Sequence, residues 1–168
     1  MKRRRLADLA RDHGITTVVE TGTYLGDSTA FLVHRGFRVV TIELDSHLAE
    51  RARRRFADAA AVTVLEGDSG CVLQDLVPTL TEPALFWLDG HFSGGVTARG
   101  DSDTPILREL EAIASSPLGS QHVIVIDDAR CFDGRTYPTL DELRDRLSSM
   151  GRMMGGFVDD AIAIIPAK

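Results

Sequence analysis

Acidic residues stand at or just after the ends of the short apolar runs in this sequence. These runs are predicted to be strands of a parallel sheet, and ligands bind beyond the carboxyl ends of such strands. One carboxylate there is ordinary, but a series along one edge favours a ligand that carries positive charge. The acids concerned are Glu20, Glu43, Asp68, Asp89, Asp127 and Asp128.

The turn after the first run indicates which cationic ligand this edge would take. A dinucleotide site needs Gly-x-Gly-x-x-Gly, in which the middle glycine lets the backbone approach a pyrophosphate. Here Tyr24 follows Gly22 at the place of the middle glycine, and Glu20 upstream would repel a phosphate. Glu43 lies about twenty residues after Gly22, where an acid accepts the hydrogen bonds of a ribose diol. The pattern favours a cationic ligand with a ribose and no phosphate; the alternative is a turn that only connects strand to helix.

Hydrophobic periodicity places these residues in alternating strands and helices. The fourth run is apolar without alternation, as expected of a strand that is buried on both faces. Pro105 after Thr104 marks the start of the fifth helix, and Thr139 with Glu142 has the spacing of a capping box at the start of the sixth. The predicted strands are 17–20, 37–42, 62–65, 84–88, 122–126, 153–158 and 161–165, and the predicted helices are 6–13, 28–35, 46–60, 71–80, 105–114 and 139–150.

These elements predict an α/β fold with a doubly wound, mostly parallel seven-stranded sheet and helices on both faces. The link between the last two strands is too short for a parallel connection, so they are expected to form a C-terminal antiparallel hairpin. The length of 168 residues predicts a single domain, residues 1–168, in which residues 1–16 contribute an N-terminal helix.

Composition limits the partners and the compartment. The net charge of −6 disfavours bulk binding to nucleic acid, which depends on neutralising phosphates. No apolar run approaches the ~20 residues that a bilayer span requires, so no membrane association is predicted. Two cysteines cannot form a disulfide framework or a zinc cluster, which favours a reducing, cytoplasmic compartment.

The segment from Glu20 to Gly26, together with Glu43, the Gly67-Asp68-Ser69 run and Asp89, resembles the class I S-adenosylmethionine-dependent methyltransferases. The resemblance covers residues 17–165 and implies S-adenosylmethionine as the cofactor. It implies that the glycine turn passes beneath the methionine part, that Glu43 holds the ribose, and that the third-strand segment contacts adenine. Asp68 could instead be a simple turn aspartate. The implied cofactor-binding residues are Glu20, Thr21, Gly22, Thr23, Tyr24, Gly26, Ser28, Glu43, Asp68, Ser69 and Asp89.

The acids after the fourth and fifth strands resemble those of the metal-dependent O-methyltransferases, both the catechol type and the macrolide- and aminocoumarin-sugar type. This resemblance implies a divalent cation, Mg²⁺ or another, held by Asp89, Asp127 and Asp128, which would lower the pKa of an acceptor hydroxyl. Asp127 and Asp128 converge only if the strand ends between them, because residues on a strand alternate faces. Otherwise the pair caps a helix or contacts solvent.

His91 is the candidate base for the acceptor hydroxyl, with Asp89 as the second catalytic residue. The sugar-modifying relatives have a base at or very near this place, and an imidazole pKa of about 6.5 suits that work. His91 could instead be a solvated side chain or a further metal ligand. It begins a long Gly-rich loop, residues 91–100, of a kind that often closes over a substrate.

The resemblance implies an enzyme that O-methylates a small hydroxylated molecule, such as a sugar, a phenol or a natural-product intermediate. The fourth strand lacks the Asn-Pro-Pro or Asp-Pro-Pro continuation that is typical of amino methylation on bases and glutamine, which disfavours nucleic acid and protein as substrates. Residues 1–16 alone precede the first strand, so either the acceptor site is open or a second subunit of a homo-oligomer covers it. The alternatives are alkyl transfer or cyclisation with the same cofactor, and a non-catalytic cofactor-binding module.

Overall fold

A computed structural model describes residues 2–90, 104–135 and 137–166 of the chain. None of the helices in this described part is both long and apolar enough to span a membrane. Two short 3-10 turns, Val77–Thr79 and Ala129–Cys131, accompany the main elements. The helices are α1 (Lys2–Asp12), α2 (Asp27–His34), α3 (Ser46–Arg55), α4 (Ser69–Leu76), α5 (Ile106–Ala114) and α6 (Leu140–Ser149), and the strands are β1 (Thr17–Thr21), β2 (Arg38–Glu43), β3 (Val62–Glu66), β4 (Leu85–Leu88), β5 (Val123–Ile126), β6 (Gly156–Val158) and β7 (Ala161–Ile164).

The strands form one seven-stranded sheet within the described residues, in the order β3-β2-β1-β4-β5-β7-β6. Strands β1 to β5 are parallel, and β7 pairs antiparallel with both β5 and β6. The doubly wound sheet and its C-terminal hairpin are therefore confirmed. The strand order reverses between β1 and β4, and ligands of such sheets bind at that point, beyond the carboxyl ends of the strands. The ends of β1 to β5 are called the carboxyl edge below.

Helices cover both faces of the sheet, because each strand of its centre is apolar on both sides. All four residues of β4 and all four of β5 are buried. Helices α1 and α2 pack on one face, with Leu6, Ala10 and Leu32 against Val18, Trp87 and Val125. Helices α4, α5 and α6 pack on the other face, with Leu73, Leu110 and Leu143 against Phe86 and Ile124.

The largest differences from the predicted boundaries lie at three helix ends, one of which is that of α4, at Leu76 rather than at residue 80. Helix α1 begins at Lys2 rather than at residue 6, because lysine and arginine are good helix formers and extend the helix through the basic run. Helix α3 ends at Arg55 rather than at residue 60, since the chain turns there, with the Ala59 N–H donating to the Phe56 carbonyl at 2.9 Å. The capping box of α6 is confirmed, with Thr139 and Glu142 each bonding the backbone N–H of the other.

Candidate functional site

The turn between β1 and α2 lies against the end of β4. Gly22 has a φ of +82°, and a Cβ added there would stand 2.5 Å from the carbonyl oxygen of Asp89. Tyr24 also has a positive φ, +49°, and its side chain is half exposed. Gly26 precedes α2 as its N-cap, with a φ of +77°, and lies against the ring of Phe56. The turn therefore follows the backbone of β4 so closely that only glycine fits at position 22.

The Glu43 carboxylate, at the end of β2, is held by backbone groups on both sides. Its Oε2 accepts the N–H of Tyr24 at 2.7 Å, and its Oε1 accepts the N–H of Asp45 at 3.0 Å. The residue is only 6% exposed, so these charge-assisted hydrogen bonds fix its direction. Each carboxylate oxygen retains a lone pair for a further donor, which is what a ribose diol supplies.

Glu20 lies beneath the turn. It is 2% exposed, and its Oε2 accepts the hydroxyl groups of Thr29 on α2 and Thr41 on β2, the latter at 2.9 Å. Burial raises the pKa of Glu20 to about 7, although the two hydroxyl donors oppose that rise. These contacts make Glu20 a support for the turn and for α2, and its contact with a cofactor stays a prediction.

Glu20 is expected to make the stability of the fold depend on pH. Its pKa returns to about 4.5 in the unfolded chain, so between pH 4.5 and 7 the folded carboxyl keeps a proton that the unfolded carboxyl releases. Rising pH through this window therefore costs the folded state about 3 kcal/mol, and the loss persists at higher pH. The free energy of unfolding of the wild type and of Glu20→Gln is measured with urea at pH 5 and at pH 8. From pH 5 to pH 8 it should fall by about 3 kcal/mol less in Glu20→Gln than in the wild type.

The matched control is Glu66→Gln, which neutralises an exposed carboxyl at the end of β3. This variant should show the wild-type difference between the two pH values. A Glu20→Gln protein that also shows the wild-type difference would contradict the buried titration of Glu20.

Asp68 caps α4 and is already engaged within the protein. Its Oδ1 accepts the N–H of Cys71 at 3.2 Å, and its Oδ2 accepts from the Arg108 guanidinium of α5 at 3.0 Å. Any contact of Asp68 with adenine would therefore share the carboxylate with Arg108. Ser69, the next residue, is buried, and its hydroxyl bonds the Glu109 carboxyl.

Glu109, on α5 beside the carboxyl edge, is a residue that sequence reasoning missed. It is 1% exposed, and the hydroxyl groups of Thr21 and Ser69 hydrogen-bond to it. Burial raises the pKa of Glu109 to about 7, and its Oε1 has no hydrogen-bond partner among the described residues. The sequence signal that could have identified Glu109 is its helical spacing from Ile106 and Leu110, which places a glutamate on the buried face of α5.

Asp127 and Asp128 lie side by side beyond β5, next to two basic side chains. The strand ends at Ile126, and Asp128 has a φ of +53° and donates its N–H to Asp127 Oδ1 at 2.7 Å. This left-handed turn lets the two carboxylates converge, which consecutive residues of a strand do not. Lys2 Nζ donates to Asp127 Oδ1 and lies 3.7 Å from Asp128 Oδ1, which also lies 2.6 Å from the Arg130 guanidinium.

Asp89, beyond β4, faces the same pair of carboxylates. Burial, followed by the charges of Asp127 and Asp128, raises the pKa of Asp89 to about 8. Its N–H donates to Thr21 Oγ1 at 3.2 Å, which ties the end of β4 to the end of β1. At this pKa the Asp89 carboxyl is mostly protonated at pH 7 and becomes charged as the pH rises through about 8, so only its deprotonated fraction can accept a proton.

The residues predicted to hold a divalent cation do not fit one. In the part of the chain that the structure describes, no three histidine, cysteine, aspartate or glutamate side chains form a group that could hold a metal ion. Mg²⁺ demands oxygen ligands at about 2.0–2.1 Å in near-octahedral geometry. Asp127 and Asp128 instead direct oxygens at Lys2 and Arg130. The predicted metal site on Asp89, Asp127 and Asp128 thus finds no support, because basic side chains of the protein already neutralise the pair.

His91 and the predicted closing loop of residues 91–100 lie outside the described residues. The role of His91 as a base stays a prediction.

The N-terminal helix reaches the carboxyl edge, since Lys2 contacts Asp127 and the Arg3 guanidinium donates to the Ser28 hydroxyl at 3.1 Å.

Solved methyltransferases share this arrangement of strands and helices. The O-methyltransferase from Bacillus cereus, in complex with SAH, aligns with a TM-score of 0.67 and 20% identity over 98% of this chain and 80% of that chain. TomG from Streptomyces achromogenes, an O-methyltransferase involved in tomaymycin synthesis and solved with SAM, aligns with a TM-score of 0.63 and 20% identity over 99% of this chain and 80% of that chain. This chain has the class I S-adenosylmethionine-dependent methyltransferase fold.

Curated relatives match a shorter part of this chain. Ribosomal RNA small subunit methyltransferase A from Acidobacterium capsulatum is 43% identical over 65 residues, which are 39% of this chain and 23% of the relative. The chain spans about a quarter of the length of the curated relatives it matches. No family model matches it.

The class I fold brings some of the predicted cofactor residues to the carboxyl edge and assigns internal contacts to others. Those at the edge are Thr21, Gly22, Tyr24, Glu43, Ser69 and Asp89, of which Thr21 and Ser69 also hydrogen-bond to Glu109. Those with contacts inside the protein are Glu20, Thr23, Gly26, Ser28 and Asp68, of which Thr23 Oγ1 lies 2.6 Å from Thr41 Oγ1. Cofactor contacts of both groups stay predictions.

Proposed function

We propose that this chain is an S-adenosylmethionine-dependent methyltransferase that transfers the methyl group to a hydroxyl of a small molecule. The observation that carries the proposal is the Glu43 carboxylate, which backbone N–H groups hold at the carboxyl edge beside the Gly22 turn. A carboxylate fixed in this way accepts the two hydroxyl groups of a ribose without first having to be ordered.

The charge of the carboxyl edge supports a cationic methyl donor. A sulfonium carries one positive charge, and the Glu43 carboxylate lies next to the Gly22 turn. A dinucleotide or a nucleotide would instead place phosphates next to this carboxylate. Opposite charge at the ligand site favours the sulfonium compound over the phosphates.

Methyl transfer to a hydroxyl needs a proton acceptor. The new O–C bond forms as the S–C bond breaks, and the hydroxyl proton passes to a base. Asp89 is the candidate base among the described residues, because it lies at the end of β4 next to the glycine turn. His91, two residues further along the chain, is the second candidate. No divalent ion is included in this step, since the strand-end acids do not fit one.

The second candidate function is methylation of RNA. It is favoured by the 43% identity over 65 residues to a ribosomal RNA methyltransferase. The net charge of −6 and the absence of an Asn-Pro-Pro or Asp-Pro-Pro segment after β4 favour the small-molecule acceptor instead. TomG, which aligns over 99% of this chain, acts in tomaymycin synthesis.

Two measurements test this proposal. Calorimetry with SAH (S-adenosylhomocysteine, the demethylated cofactor) should show one site per chain with a Kd in the micromolar range. NAD should give no heat of binding. Incubation with SAM and a metabolite extract, followed by mass spectrometry, should show a hydroxylated compound that gains the mass of one methylene. Methyl transfer only to added ribosomal RNA would favour the second candidate. Tight binding of NAD in place of SAH would overturn both.

A further inference from the structure

Helix α1 places Lys2 on its buried face. Residues four apart lie on one side of a helix, so Lys2 continues the face that carries Leu6 and Ala10. Both of these are buried in the core cluster that α1 forms with the sheet. Lys2 stands at the end of α1 that reaches the carboxyl edge, and its side chain is only 31% exposed.

This position is unfavourable for a cation that has no partner. Lys2 lies in the first turn of α1, where the helix dipole is positive and repels cations, and that turn holds no acidic residue. Partial burial of the ammonium group adds a desolvation penalty. Asp127, to which Lys2 Nζ donates, and Asp128, at 3.7 Å, offset both costs.

The carboxylates of Asp127 and Asp128 in turn require nearby cations, because both side chains are buried. Asp127 is 7% exposed and Asp128 is 8% exposed, so neither charge is well solvated. Buried carboxylates next to each other are stable only when nearby cations or hydrogen bonds compensate them. Lys2 contacts the first, and Arg130, which also pairs with Asp160, contacts the second.

We propose that the Lys2 ammonium group takes the place of a divalent cation at Asp127 and Asp128, so that this carboxylate pair does not bind Mg²⁺ or Mn²⁺. The ammonium group offsets one of the two negative charges, Arg130 contacts the other carboxylate, and the packing of α1 holds Lys2 there. Lys2 is thus a positioning residue for the two carboxylates. The consequence that turnover needs no metal rests on the proposed methyl transfer, whereas the metal-binding statement does not.

Electron paramagnetic resonance of Mn²⁺ tests this inference on the protein without cofactor or acceptor. The wild type and Lys2→Arg, which keeps a cation, should leave Mn²⁺ free at concentrations up to about 1 mM. Lys2→Met removes the charge and keeps much of the side-chain volume, so it should gain one Mn²⁺ site with at least about tenfold higher affinity. Adding Asp127→Asn to Lys2→Met should abolish that site again.

Two outcomes would overturn the inference. One is a Mn²⁺ site in the wild type that Asp127→Asn removes, which would mean that a metal ion displaces Lys2. The other is a Lys2→Met protein with the wild-type circular dichroism spectrum that gains no Mn²⁺ site. SAH calorimetry on the same preparations reports on the proposed function separately, because failure to bind SAH would leave the Mn²⁺ result unaffected.

Discussion

Glu43→Ala is expected to weaken SAH binding at least about a hundredfold. In the proposed complex the ribose diol donates two hydrogen bonds to the Glu43 carboxylate, and each hydrogen bond to a charged group contributes about 1.5–3 kcal/mol. A loss of about 3 kcal/mol corresponds to a factor of about one hundred in Kd. The variant also removes the acceptor of the Tyr24 and Asp45 N–H groups, so the turn loses its anchor. Calorimetry with SAH measures the change directly.

Glu66→Ala is the matched control for this experiment. Glu66 is the register partner of Glu43 on the neighbouring strand β3, and it is exposed and paired with Arg53 at 2.9 Å. Its removal deletes the same chemical group one strand away, so the SAH affinity should stay within about twofold of the wild type. If Glu43→Ala binds SAH as tightly as Glu66→Ala does, Glu43 has no part in the cofactor site.

Gly22→Ala is expected to destabilise the fold by about 3 kcal/mol and to prevent SAH binding. The added Cβ would stand 2.5 Å from the Asp89 carbonyl oxygen, which belongs to the backbone and cannot rotate away. Overpacking of this kind costs about 1–3 kcal/mol, and an alanine at the φ of +82° adds about 1 kcal/mol of strain. Relief of the clash would move the turn away from β4, where the cofactor is proposed to bind. Urea denaturation and SAH calorimetry measure the two effects.

Gly14→Ala separates strain from the clash. Gly14 also has a left-handed φ, +65°, but a Cβ there would meet nothing within 4 Å. This variant should lose only about 1 kcal/mol of stability and should bind SAH as the wild type does. Equal destabilisation of the two variants would show that the close approach of Gly22 to β4 is unimportant.

The fold was predictable because its signals are local. Strands that are apolar throughout, such as β4, indicate burial on both faces, and the short link before β7 permits only an antiparallel partner. The ends of elements were less predictable. Helix α1 extends to Lys2 because helix propensity and packing continue through a basic run that carries no hydrophobic period.

The carboxyl edge was predictable for a related reason. In a parallel sheet, the residue after each strand arrives at the same edge, so Glu43, Asp89 and Asp127 were expected to line one side of the molecule. What each side chain contacts was not predictable in this way. Asp68 meets Arg108, and Thr21 and Ser69 meet Glu109, through the packing of α5, which lies some forty residues further along the chain from Asp68.

The sequence by itself determined the doubly wound sheet, the glycine turn and the row of acids, because periodicity, turn chemistry and strand-end position are properties of neighbouring residues. The tertiary structure alone decided which cation meets Asp127 and Asp128. Lys2 is 125 residues away from Asp127, and only the packing of α1 across the sheet brings its ammonium group to them. Two adjacent acids form the same sequence pattern whether a metal ion or a lysine contacts them. Which of the two does so depends on the group that the folded chain places within bonding distance.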